Sequence, residues 1–211
     1  MIIGVVGKAR SGKDTFAELL AEAIFDKTKH RFVLMAYAQE LKLRVQRDFD
    51  LSYDQLWGDQ KEVEDKRYRK AHINNMIADL RDSSEIESEY WTPREILQEY
   101  GEFYRSIDIN YWVKNLFRIV DEKEYKDVIV TDVRHPNEAN PIKERDGYII
   151  KVSRESKDKI HGENHISEVA MDNYEDVDFE VLNNEGLEEL KNTAYDVVNM
   201  LLFSEKSKSE G

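Results

Sequence analysis

The sequence contains no cysteine. Disulfide frameworks, zinc–thiolate centres, iron–sulfur clusters and cysteine nucleophiles are thereby excluded. It has no basic excess either. Lys+Arg number 31 against 44 Asp+Glu, a net charge of −13. A surface of that sign repels a phosphate backbone, so a nucleic-acid polymer is not an expected partner. A local basic pocket for one nucleotide remains compatible with it. No apolar run approaches the roughly 20 residues that span a bilayer, and no membrane partner is expected. The opening Met-Ile-Ile-Gly-Val-Val has no basic n-region and no long apolar h-region, so no signal peptide is expected and the expected location is cytoplasmic. Proline is scarce, at three residues, which leaves most elements uninterrupted. The apolar share of 40 % suffices for a core. The expectation is one domain over 1–203, with a flexible tail at 204–211.

Apolar runs alternate with segments of helical period. Strands are expected at Ile2–Val6, 32–36, 127–131, 148–152 and 177–182. Helices are expected at 13–25, 41–49, 93–104, 111–120, 136–145 and 186–203. Thr92-Pro93-Arg94-Glu95 has the form of a capping box with proline at the first helical position. Residues 59–89 carry nine acids and six bases with few large apolar residues, and read as a charged helical excursion outside the core. Strands alternating with helices predict an α/β three-layer sandwich, a mostly parallel sheet of about five strands covered on both faces. In such sheets ligands sit beyond the carboxyl ends of the strands. Gly7, Asp132 and Arg154 all fall at such ends.

The segment Gly7-Lys8-Ala9-Arg10-Ser11-Gly12-Lys13-Asp14-Thr15 follows G-x-x-x-x-G-K, with a strand before it and a helix after it. Gly7 and Gly12 let the backbone curl until successive N–H groups face phosphate oxygens. The start of the next helix adds its positive dipole end, and Lys13 reaches the β- and γ-phosphates. Arg10 and Ser11 lie within the curl. One position departs from the pattern. Asp14 follows Lys13 where a hydroxyl normally binds magnesium, and Thr15 comes one later. Asp14 could hold Mg²⁺ itself; alternatively it orients the attacking group while Thr15 touches the α-phosphate. The spacing leaves both open.

Asp132, after the apolar 128–131, sits where a protein with such a loop places a carboxylate to orient magnesium. Arg134, Arg105 and Arg154 are candidates to neutralise a migrating phosphoryl group; the alternative for each is a surface ion pair, which for Arg154 alone is the simpler reading. His165 and Glu168 stand three apart, and a loop or cap role is the simpler reading than zinc. Trp91, Tyr111 and Trp112 could stack on a base, although aromatics on amphipathic helices more often belong to the core.

Several blocks in fixed order resemble the phage deoxynucleoside monophosphate kinases. These are G-K-A-R-S-G-K-D-T at 7–15, A-Q-E-L-K at 38–42 and P-R-E-I-L-Q-E-Y-G-E-F-Y-R at 93–105. Trp112, T-D-V-R-H-P-N-E-A at 131–139 and H-I-S-E at 165–168 follow. The resemblance implies transfer of the ATP γ-phosphate to a deoxynucleoside monophosphate (dNMP) with Mg²⁺. It places Lys13, Asp14 and Thr15 at the phosphates and magnesium, and Asp132, Arg134 and Glu138 at the catalytic edge. It places Lys42, Gln98, Arg105 and Trp112 at the acceptor, and 165–168 in a lid. It also suggests a homodimer. Phosphomevalonate kinases share the G-K-D-T and D-x-R pattern and differ in acceptor. A nucleotide-binding switch is a third reading, though neither N-K-x-D nor D-x-x-G occurs.

Overall fold

A computed structural model describes residues 1–8, 10–70, 90–154, 171 and 174–209. The block at 165–168 and most of the charged stretch lie outside the described residues. The described chain divides into two compact units, Met1–Ala38 with Trp112–Gly211, and Gln39–Tyr111.

The first unit holds the sheet. Its strands are β1 (Ile2–Val6), β2 (Val33–Met35), β3 (Val128–Val133), β4 (Tyr148–Ser153) and β5 (Phe179–Leu182). All neighbours pair parallel, in the order β2-β3-β1-β4-β5. Successive residues in a strand face opposite sides, so each apolar strand feeds two cores. Ile3, Val5, Ile129, Ile150 and Val152 pack on one side with Phe16 and Leu20 of α1 (Lys13–Thr28). The last helix, Leu187–Ser209, adds Ala194, Val198 and Leu201 to that core. Val6, Val128, Val130 and Ile149 face the other side, where α5 (Tyr111–Glu122) adds Val113, Leu116 and Phe117 and α6 (Pro136–Lys143) adds Ile142. This is the three-layer α/β arrangement of the P-loop NTPase type.

In sequence between β2 and α5 lie α2 (Tyr37–Phe49), α3 (Tyr53–Leu56), a short 3₁₀ turn (Asp59–Glu62) and α4 (Pro93–Ile107). The last helix is α7. Thr92 and Glu95 form the expected capping box, and Ser52 with Gln55 forms a second. Three expectations are corrected. The helix expected at 41–49 begins at Tyr37, because a distant carboxylate caps its start (below). Within 59–70 only Asp59–Glu62 is helical. The chain there turns around Asp65, 7 % exposed, whose carboxylate accepts from Gln55 Nε2 at 2.8 Å and Arg67 Nη2 at 2.7 Å. The last helix runs to Ser209, past the expected end at Phe203. Glu205 there accepts a 2.7 Å hydrogen bond from the Tyr148 hydroxyl on β4, which holds that turn to the sheet. Among the described residues no helix is long and apolar enough to cross a membrane.

Hydrogen bonds from Arg67 hold the Asp65 carboxyl well below the usual carboxylate range. A lowered folded-state pKa means the stabilisation is complete above about pH 4, the unfolded value, and is lost as the pH falls through the folded one. Asp65→Ala is expected to lower the unfolding free energy by about 1–3 kcal/mol in neutral urea titrations. The gap between variant and wild type should shrink in strong acid.

Candidate active site

Parallel pairing brings the carboxyl ends of all five strands to one edge of the sheet. Val6 pairs with Val133, and Ser153 with Leu182, at that edge. The residues that follow are Gly7, Arg134, Arg154 and Asn183, with Tyr37 just beyond β2. Residues more than a hundred positions apart in the sequence thus share one rim.

The phosphate loop runs from Gly7 to the start of α1. Its two glycines act differently from each other. Gly12 sits at φ +88°, a left-handed conformation that side chains disfavour. Gly7 has no positive φ; it is needed for close approach, since a Cβ there would stand 2.6 Å from the Val152 carbonyl oxygen. Among the described residues of the loop, Arg10 is also left-handed, at φ 62°. Both glycines thus allow the curl, Gly12 by its conformation and Gly7 by leaving room for the Ser11 side chain, whose Oγ would stand 2.4 Å from a Cβ there.

Gly12 has no side chain to cap α1, and no side-chain cap is present. The first N–H groups of a helix have no intrahelical acceptor. Phe16 N–H is the first to be satisfied within the helix, by the Gly12 carbonyl at 2.8 Å. The N–H groups before it are available to an anion. The Ser11 hydroxyl is buried inside the loop without a hydrogen-bond partner. Lys13 is 6 % exposed, and its Nζ lies 3.5 Å from Asp14 Oδ2. An orphaned hydroxyl, an open helix start and a sheltered ammonium in one loop fit a polyphosphate. Asp14 and Thr15 are exposed.

Asp132 lies inside β3, one residue before its end, rather than beyond it. Its Oδ1 accepts from Tyr37 N–H at 2.7 Å and its Oδ2 from Ala38 N–H at 3.0 Å. It is thus the N-terminal cap of α2 as well as a rim carboxylate. Burial pushes its pKa up, and the two N–H bonds, Arg134 and Lys13 pull the other way. Each carboxylate oxygen retains a lone pair beyond the one given to the helix. Asp14, Thr15 and Asp132 each offer the oxygen donors that Mg²⁺ accepts when phosphates and water complete its shell.

Glu138 is 5 % exposed and turned inward. Its Oε2 accepts from Arg134 N–H at 2.8 Å and His135 N–H at 3.2 Å. It shapes the turn that presents Arg134. The buried Tyr37 hydroxyl donates to the Glu138 carbonyl at 2.7 Å, and burial beside Glu138 and Asp132 raises its pKa. Tyr37 had no signal in the sequence beyond its place after a strand. Arg154 is exposed at the end of β4. Trp112 is 3 % exposed within the same unit, as a core aromatic would be.

The remaining acceptor candidates lie in the second unit. Lys42 Nζ stands 5.6 Å over the Trp57 ring, which stacks on Tyr53 at 5.2 Å. Gln98 is exposed on α4. Arg105 Nη1 donates to Glu102 at 2.9 Å and folds back over Gly101, where a Cβ would stand 3.3 Å away. Tyr111 stacks on Tyr104 at 4.5 Å, beneath the Arg44 guanidinium.

Sheet order, phosphate loop and rim carboxylate define a P-loop α/β protein. The particular family follows from comparison with known proteins. The family model described as deoxynucleotide monophosphate kinase matches residues 44–194, and the chain belongs to that family. The match begins beyond the phosphate loop, so loop and family are separate observations. A protein of Acanthamoeba polyphaga mimivirus named "Putative deoxynucleotide monophosphate kinase" is similar, at 29 % identity over 204 residues, covering 90 % of this chain and 91 % of that one. That relative is viral but not from a phage.

Proposed function

We propose that the chain transfers the γ-phosphate of ATP to a deoxynucleoside monophosphate, giving ADP and the diphosphate. The observation that carries the donor half is the loop at the end of β1, with Lys13 sheltered beside it and the first turn of α1 open. Family membership supports the acceptor half. The acceptor phosphate is already a nucleophile near neutral pH, so no separate base is required. One of its oxygens attacks the γ-phosphorus in line. The bond to the β–γ bridging oxygen breaks, and its electron pair leaves with ADP.

Lys13 neutralises charge on the β- and γ-phosphates. Arg134 and Arg154 add positive charge from the same rim, and Arg105 is assigned a like role on the strength of its matching block. Glu138 acts through Arg134 by holding its backbone. Lys42, Gln98 and Trp112 are assigned to acceptor binding on the strength of the matching blocks. Mg²⁺, when bound by Asp14, Thr15 and Asp132, would draw charge from the bridging and γ-oxygens.

The test is ADP release with Mg-ATP and each of dAMP, dCMP, dGMP, dTMP and 5-hydroxymethyl-dCMP, with CMP, GMP and phosphomevalonate alongside. Rates are expected to rise strongly with at least one deoxynucleotide. Rates that stay flat across all nucleotides would overturn the assignment, and a response to phosphomevalonate alone would transfer the acceptor to that class.

A further inference from the structure

Asn183 belongs to no phosphate-loop pattern, and it follows β5 some 170 residues after the loop. It is nonetheless 7 % exposed, at the same rim. Two hydrogen bonds hold it. Its backbone N–H donates to the Ser153 carbonyl, the last residue of β4, at 2.8 Å. Its side-chain Nδ2 donates to the Ser11 carbonyl at 2.9 Å, in a buried contact. A Cβ on Gly12 would stand 2.3 Å from that same Nδ2. The asparagine amide therefore occupies the space that Gly12 leaves by having no side chain. Gly12 serves twice, for its φ of +88° and for this access.

The peptide joining Ser11 to Gly12 is planar and trans, so its C=O and N–H point in opposite directions. A donor that grips the Ser11 oxygen on one side aims the Gly12 N–H to the other. We infer that Asn183 is a positioning residue of the phosphate loop. It fixes the Ser11–Gly12 peptide so that the loop's N–H groups converge on the ATP phosphates, and its backbone bond registers that peptide against the β4 exit carrying Arg154. Few side chains fit the place. A donor is required, so aspartate of equal size would set a carboxylate against a carbonyl oxygen and beside the phosphates. A serine hydroxyl would stop short of the Ser11 oxygen.

This inference rests on the loop binding the ATP phosphates, and the experiment separates the two. Wild type, Asn183→Asp and Asn183→Ser are titrated calorimetrically with Mg-ATP and, separately, with each of the four standard dNMPs. Circular dichroism melts of the same samples report folding. Wild type is expected to bind ATP. Both variants are expected to bind it about ten-fold more weakly, with acceptor affinity unchanged within two-fold. In turnover the same asymmetry should appear as a raised KM for ATP and an unmoved KM for the acceptor. A purely structural asparagine would instead reduce the active fraction and leave both constants in place. Unchanged ATP affinity in a folded variant, or an equal loss toward both substrates, would overturn the inference. Absence of ATP binding by wild type would overturn the donor reading, and this inference with it. Asn183→Ser carries the test if Asn183→Asp does not fold.

Discussion

Lys13→Ala is expected to lower kcat/KM at least about a thousand-fold, roughly 4 kcal/mol of transition-state stabilisation, while melting near the wild-type temperature. The two halves have one cause. Lys13 is 6 % exposed at the start of α1, and its distance of 3.5 Å to Asp14 is too long for a strong ion pair. An ammonium sheltered in this way costs solvation and repays little of it in the free protein. Its compensation comes when negative charge enters the loop and grows on the transferring group. Removing it therefore costs catalysis and spares the fold. Lys13→Met, which keeps the apolar stem, should behave alike. The measurements are initial ADP-release rates and a circular dichroism melt. Turnover near wild type in either variant would remove the loop from the mechanism.

Asp132→Ala is expected to give the opposite signature, with activity and stability falling together. Its two oxygens accept from Tyr37 and Ala38 N–H at 2.7 and 3.0 Å. Without them the start of α2 has two donors and no cap. The expected cost is about 1–3 kcal/mol of unfolding free energy. At roughly 2–4 °C per kcal/mol for a chain of this size, a melt resolves it readily. The turnover number should fall by about two orders of magnitude as rim charge is lost. Asp132→Asn separates the roles in part. The amide keeps one acceptor for the helix, but its NH₂ opposes the second N–H. It should be more stable than Asp132→Ala and equally inactive. An Asp132→Asn variant with full activity would leave this residue as a helix cap alone.

Much of the rim was legible because its signals are local. Gly7, Gly12 and Lys13 need only their spacing and the strand and helix on either side. The Thr92–Glu95 box is likewise contained in four residues and is present as expected. Asp132 was legible as a strand-end acid, but its grip on α2 was not, because the partners lie 94 and 95 positions away. Glu138 was read as a catalytic-edge acid, and only its burial and its two backbone donors show it supporting the Arg134 turn. Asn183 left no trace in any pattern. The strand-end argument applied to Gly7, Asp132 and Arg154 would have reached it, since it follows β5 directly. The charged stretch misled for 63–70, where the organising element is the buried Asp65 and no helical period is involved.

The sequence by itself determined the class of fold and marked the candidate phosphate loop. Apolar runs of strand length and helical periods are properties of adjacent residues, and the glycine–lysine spacing of the loop is encoded where it stands. The tertiary structure alone decided which distant groups complete that loop. Strand order places β3, β4 and β5 around β1, and parallel pairing delivers their ends to one rim. Burial then converts an acid into a helix cap, a second acid into a turn brace, and an asparagine into a clamp on the Ser11 carbonyl. Hydrogen bonds across a hundred residues depend on chain topology, which no local spacing records.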